Sequence, residues 1–398
     1  MTFSSDIQPL RVVVAGGGIA ALETILALHD LAGDRVDITL VAPGDTFSLR
    51  PLEVARPFAR GRARTLSLSA FAADHGVELV RAGVLAVDAE RRVATCTDGS
   101  EVPYDELVLA LGATARPAFA RALTFGAGGD PLALNGILAD LDQGYSSSVA
   151  FVVPKEASWP LPIYELALMT AEEVHGMGMD RVVLHIVTPE RTPLGIFGPK
   201  ASASVADLLD AADIVMHRGV VADVNADGAI ELGFGEPLHV DRIVALPALG
   251  GPALDGVPSD ARGFIPVDEL CRVRGLEHVR AAGDATDQPV KQGGLACQQA
   301  DVVATGIAAA AGADVTVEPM HAVLNGLLLT GHRDRFLRRA VGEHDSETAL
   351  EPLWWPPTKV HSRYLAPYLE RHGLTEVPMR RLDTDLDIDV RIPLGAGS

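Results

Sequence analysis

One stretch near the N-terminus constrains this chain more than any other. It runs Arg-Val-Val-Val-Ala-Gly-Gly-Gly-Ile-Ala-Ala-Leu-Glu from Arg11 to Glu23. A short β-branched run stops at three glycines, and a helical pattern begins at once. Gly16, Gly18 and Ala21 stand at G-x-G-x-x-A spacing. Gly16 allows a sharp turn out of the strand, Gly18 removes a side chain so that backbone can approach a pyrophosphate, and Ala21 lets the helix pack close to a sheet. The helix start offers N–H groups and a positive dipole end to phosphates. Residues 12–15 read as the first strand, 19–31 as the first helix and 36–41 as the second strand. That second strand is apolar on both faces, as a central parallel strand should be. The glycine spacing between a strand and a helix, in a βαβ unit of this length, is a far stronger signal than glycines alone.

The same unit lacks one expected residue. A dinucleotide fold usually ends its second strand with an acid that holds the adenosine ribose. Here the strand ends Leu40-Val41-Ala42-Pro43, and Asp45 is the nearest substitute. Arg50 opens a basic stretch with Arg56, Arg60, Arg62 and Arg64. Arg50 suits a phosphate or ribose, whereas the later arginines read equally well as a solvated loop.

A chain of 398 residues is too long for one small core. Only 5% of it is aromatic against 48% hydrophobic, so the core must be built from Ala, Val, Leu and Ile, which suits sheets covered by helices. A net charge of −20 argues against nucleic acid, whose phosphates need basic partners, and against general attraction to anionic lipid. The three cysteines, Cys96, Cys271 and Cys297, are far apart and form no C-x-x-C, so neither a disulfide framework nor a metal site is expected. The N-terminal residues lack the pattern of a signal peptide, and no window holds the roughly 18 apolar residues of a spanning helix. The expectation is a cytoplasmic protein, with peripheral contact to the inner face of the membrane and a homodimer left open.

Further along, residues 148–153 begin a second strand–turn–helix. Its turn carries no glycine spacing; Lys155, Ser158, Trp159, Pro160 and Pro162 fill the place. Residues 181–187 continue as a strand ending at Thr188-Pro189-Glu190. The expected fold is α/β, with two Rossmann-like, doubly wound parallel-sheet domains, the second inserted in the first. The first would span 8–115 and 246–318, and the second 145–245. A mixed C-terminal segment over 319–398 contains Trp354-Trp355, a helix near 362–371 and an alternating acidic strand over 382–390.

Four pieces stand in a telling order: the glycine turn, Tyr104-Asp105 to Ala110-Leu-Gly112-Ala113, a second nucleotide-like domain, and Ala281-Ala-Gly283-Asp284 before Pro289-Val-Lys291-Gln-Gly293. This arrangement resembles the FAD-dependent pyridine nucleotide-disulfide oxidoreductase superfamily. The closer resemblance is to the branch of sulfide:quinone oxidoreductase, the flavoprotein of flavocytochrome c sulfide dehydrogenase, and type II NADH dehydrogenase. It covers residues of about 10 to 310. The resemblance implies that Gly16, Gly18, Ala20 and Ala21 take the FAD pyrophosphate, with Ala42, Arg50 and Val84 toward the adenosine end. Ala110 and Gly112 would pass their backbone by the cofactor. Gly283 and Asp284 would meet the ribityl chain, and Lys291 with the helix start at Gly294 would face the flavin and stabilise negative charge on it.

Two departures limit the resemblance. Sulfide oxidation in that branch uses a cysteine pair, and no cysteine stands near Ala157-Ser158-Trp159, so cysteine-based chemistry is not expected. The second turn also lacks the glycines that NAD(P)H would need. Tyr164-Glu165-Leu-Ala nevertheless resembles the helix start of the NADH dehydrogenases, where a glutamate lies beside flavin and nicotinamide. Glu165 is thus either a buried proton carrier of raised pKa or an exposed acid favoured by the helix dipole. The functional expectation is an FAD-dependent oxidoreductase, with Lys291 and Glu165 as catalytic candidates and small-molecule electron donor and acceptor, the latter quinone-like. An NAD(P)H:acceptor reductase and a flavin-binding sensor without turnover are the alternatives.

Overall fold

The structure is a computed structural model that describes residues 8–374 apart from 61–63, 127–131, 234 and 344. Seven α-helices of the described residues are named in chain order: α1 (Ile19–Leu31), α2 (Leu68–Asp74), α3 (Ala133–Asp142), α4 (Leu161–Gly176), α5 (Pro199–Ala211), α6 (Gly293–Ala310) and α7 (Leu365–Arg371).

Two five-stranded parallel sheets dominate. In the first, the strands lie in the order Val279–Ala281, Glu106–Leu109, Leu10–Ala15, Val36–Val41 and Glu78–Val80. In the second the order is Leu123–Thr124, Arg242–Ala245, Ser148–Val152, Val183–Thr188 and Ile214–Arg218. The first sheet takes its outer strand Val279–Ala281 from beyond the whole of the second. The chain therefore leaves one parallel layer, builds another and returns. The short strand Leu123–Thr124 carries the second sheet back ahead of α3.

The β-branched runs explain the layering. Val12, Val13, Val14 and Ala15 are all buried, which requires cover on both faces. Each fully buried Val, Leu or Ile side chain contributes roughly 1.5–3 kcal/mol. On one face α1 packs against α6, and its buried positions run without a break from Ala20 to Leu28. Such a helix is interior rather than amphipathic. Gly33, at φ +55°, ends its last turn.

Several elements have no clear sequence signature. Arg50–Phe58 is a 3-10 run, and α2 follows it with the Ser67 hydroxyl accepting from the Ala70 N–H at 3.2 Å. The C-terminal segment builds an antiparallel sheet from Val323–Leu328, Arg335–Ala340 and Glu347–Ala349. Its strands bury adjacent residues, such as Phe336 and Leu337, so no period of two shows.

That segment is fastened to the first domain through α1. Glu23 is fully buried and accepts from the backbone N–H groups of Arg363, Tyr364 and Leu365 at 3.0, 3.0 and 2.5 Å. The Tyr364 hydroxyl donates to Asp30 at 3.0 Å. Trp354, Phe336 and Leu337 are core residues, with the two rings edge to face at 4.9 Å. Trp355, next in the chain, is 72% exposed. Residues 382–390 and Arg62 lie outside the described residues. Among the described residues no helix is long and apolar enough to cross a membrane.

Candidate functional site

The glycine turn has the geometry its spacing predicts. Gly16 sits at φ +121°, and a Cβ there would lie 2.2 Å from the Ala110 carbonyl oxygen. Only glycine fits. A Cβ at Gly18 would meet nothing within 4 Å, so open space lies before the start of α1. Gly18 is the N-cap of α1 and no side chain caps that helix. Its first N–H groups need a partner that secondary structure does not supply. Ala20 and Ala21 are buried, Ala20 within reach of Gly283, where a Cβ would stand 3.2 Å from the Ala20 methyl.

Ala42 and Ala110 lie beside this turn, where a Cβ at Gly17 would stand 3.3 Å from the Ala42 methyl. Ala42 is buried and donates its N–H to Val80 at 3.0 Å. Asp45 has an acid's reach toward the end of the second strand but is already engaged. It accepts from the Ser69 N–H at 2.9 Å and the Ser67 hydroxyl at 3.2 Å, and pairs with Arg81 at 3.3 Å. Those bonds hold its carboxyl below the usual range. Arg50 is exposed at the head of the 3-10 run. Val84 is half-buried in the antiparallel sheet that flanks the first domain. Ala110 donates its N–H to Ala15 at 2.8 Å, and Gly112 follows at φ +71°.

Beyond the second domain, Gly283 returns at φ +77° beside α1 and donates its N–H to Gln299 at 2.6 Å. Asp284 is half-buried and accepts no hydrogen bond from the described residues. Burial pushes its carboxyl up, and Lys291 opposes that shift. Lys291 is buried, bonds the Thr286 carbonyl, and holds its ammonium 3.9 Å above the centre of the Phe264 ring. Desolvation brings its pKa down to about 8 despite the pull of Asp284. The start of α6 is capped: Gln292 accepts from the Leu295 N–H at 2.7 Å and donates to the Asn325 carbonyl at 3.0 Å. Gly294 gives that amide room, since a Cβ would stand 3.0 Å from it. The open space at Gly18, the uncapped α1 and the unpartnered Asp284 all fit a bound FAD.

Glu165 is the buried acid of the two placements. It is 1% exposed in the first turns of α4. One carboxylate oxygen accepts from Lys359 and from the Leu329 N–H at 2.9 Å, and Lys359 also donates to the Leu327 carbonyl at 2.8 Å. The other oxygen is buried with no hydrogen-bond partner. Burial raises the Glu165 pKa to about 7, although Lys359 and the Leu329 N–H both oppose the rise. Asn325 and Leu327 are two residues apart on one strand, so the Glu165–Lys359 pair lies about 7 Å along it from the α6 cap.

Sequence reasoning missed Lys359, Phe264 and Gln292. Lys359 stands in Pro356-Pro-Thr-Lys, with no local pattern that signals burial. Phe264 is a buried core ring whose face takes the Lys291 ammonium. Gln292 carried a signal, since a polar residue before two glycines and a helical run is an N-cap position. The three cysteines are buried and free. Among the described residues no cluster of three or more metal-ligating side chains occurs.

Two five-stranded parallel sheets, the first opening on a glycine turn and completed by a returning Gly283-Asp284, make two Rossmann-like layers, with the buried Glu165–Lys359 pair joining the second to the C-terminal segment. The comparisons agree. Residues 3–136 match the pyridine nucleotide-disulphide oxidoreductase family. An NADH dehydrogenase-like protein of Mycobacterium tuberculosis is 28% identical over 296 residues, covering 69% of this chain and 72% of that protein. The sulfide:quinone oxidoreductase of Aquifex aeolicus superposes with a TM-score of 0.74 at 19% identity, covering 85% of this chain and 86% of its own. A ferredoxin reductase of Rhodopseudomonas palustris gives 0.64 at 20% identity, with 83% of each chain covered. At those identities the solved structures speak for the fold. The chain thus resembles the flavin-dependent oxidoreductases of the pyridine nucleotide-disulphide oxidoreductase superfamily, and among them the sulfide:quinone oxidoreductase and type II NADH dehydrogenase branch.

Proposed function

We propose that this enzyme binds FAD and passes electrons to a quinone-like acceptor, with Glu165 and Lys359 as the proton-handling pair. The observation that carries this reading is the pair itself: a fully buried carboxyl with one free oxygen, brought from the second domain to a C-terminal lysine beside the α6 cap. FAD, when bound, supplies the two-electron redox chemistry. The chain supplies the rest. Gly16, Gly18 and the start of α1 would hold the pyrophosphate, and Gly283 and Asp284 would receive the ribityl chain. Lys291 provides positive charge where negative charge builds up.

A quinone takes up two protons with two electrons; one proton would arrive with the electrons from reduced flavin, and Glu165 would supply the other. A pKa of about 7 keeps much of it protonated at neutral pH, close to the optimum for a general acid. Lys359 holds one oxygen in place and leaves the other free to exchange a proton. The test is anaerobic reoxidation of dithionite-reduced holoenzyme by a short-chain quinone, followed in the flavin band across pH. The wild type should show a break near pH 7, and E165Q should lose that break and slow by about 10²-fold or more. An unchanged rate and pH profile in E165Q would remove Glu165 from this role.

A further inference from the structure

The second parallel sheet begins with its own strand, turn and helix, and a mycobacterial relative is named for NADH. A dinucleotide at such a turn needs close backbone approach, free N–H groups at the helix start, and an acid after the second strand. Each is answered here by the chain itself.

The turn over 153–160 has no glycine. The helix start has prolines at its N-cap, Pro160, and two residues on, Pro162, neither of which has an N–H to offer. The Ile163 N–H between them and Tyr164 is spent on the Pro160 carbonyl at 2.9 Å. Pro160, Leu161, Ile163 and Tyr164 are all buried. Leu161 and the Phe197 ring pack onto Gly326 of the C-terminal sheet, where a Cβ would stand only 2.5 Å from that ring. Trp159 closes the outside, edge to face with Phe197 at 5.5 Å.

The ribose position is also taken. Glu190 follows the strand Val183–Thr188, where a dinucleotide fold places its acid. Tyr164 donates to it at 2.6 Å and the Thr188 hydroxyl at 3.2 Å, and burial pushes its carboxyl up. Tyr164 itself is fully buried, immediately before Glu165.

We infer that the second dinucleotide-type domain is closed to NADH and NADPH by its own side chains, and that its helix start instead seats Glu165 against Lys359. Electrons then enter from a donor that carries no nicotinamide dinucleotide. The experiment is anaerobic titration of the holoenzyme, freed of unbound FAD by gel filtration, with NADH and NADPH, beside saturation-transfer NMR of NADH and ADP-ribose. The flavin absorbance should show no loss with either nicotinamide, full loss with dithionite, and neither ligand should give a saturable NMR signal. Flavin bleaching by NADH or NADPH, or a saturable signal from either NMR ligand, would overturn the inference. The flavin-to-protein absorbance ratio keeps the readings apart, because a ratio well below one FAD per chain counts against flavin binding and leaves the NMR arm to decide on closure.

Discussion

Two strand-to-helix turns open the two parallel sheets, with the same topology and opposite chemistry. At the first, Gly16 bends the chain against the Ala110 carbonyl and Gly18 faces open space at the start of α1. At the second, two prolines withhold N–H groups from α4, Trp159 and Phe197 cover its start, and Tyr164 answers Glu190. The topology sets where a helix points. The residues at the turn decide whether its first peptide groups are offered to a ligand or used by the fold. A Rossmann-like architecture alone therefore licenses no nucleotide.

The largest expected effect is at the first turn. Gly16→Ala puts a Cβ 2.2 Å from a carbonyl oxygen, at a φ that side chains rarely adopt. The strained φ alone costs about 1–3 kcal/mol, before the clash. The flavin-to-protein absorbance ratio of the purified variant should collapse, and its unfolding temperature should fall. Retention of stoichiometric flavin would break the contrast between the turns.

Next is the seat that the second turn provides. Lys359→Met strands Glu165 in the interior, and losing one partner of a buried pair costs about 3–5 kcal/mol. Denaturant unfolding at pH 8 should show that loss. Adding Glu165→Gln should recover part of it, so the double variant is less destabilised than the sum of the singles.

A smaller effect concerns pH. The folded-state pKa of Glu165 is raised to about 7 and that of Asp301 to about 8, the latter by burial and then by Glu23. Both groups bind a proton more tightly when folded. Their contribution is fully present below the unfolded carboxyl range and is lost as pH rises through the folded values. Stability should fall from about pH 4 to 8 along these two titrations, and Asp301→Asn should flatten the upper part of that slope. A steeper slope in D301N would contradict the assignment.

The smallest is Tyr164→Phe. It removes one hydrogen bond to Glu190, at about 1–3 kcal/mol for a bond to a buried acid. Flavin content should stay unchanged, since the second turn holds no flavin. Unfolding should shift modestly while the absorbance ratio does not.

The first turn was legible because its backbone constraints are local: three glycines and an alanine within six residues, between a strand and a helix. The returning Gly283-Asp284 was legible for the same reason. The second turn showed as a missing motif, and its burial against Phe197 and Gly326 could not be read, because those partners are distant in sequence. Glu165 stood out, yet its burial depends on Lys359, 194 residues on. The C-terminal sheet buries consecutive side chains and so leaves no periodic signal. Asp45 was a reasonable substitute by position, and its bonds to Ser67, Ser69 and Arg81 are contacts that spacing does not reveal.

The contrast between the turns is tested most directly by counting dinucleotides per chain. Holoenzyme would be passed through a gel-filtration column equilibrated with NADH, and bound adenine nucleotides resolved after acid release. One FAD per chain and no NADH would uphold an open first turn and a closed second. One NADH retained beside each FAD would contradict it.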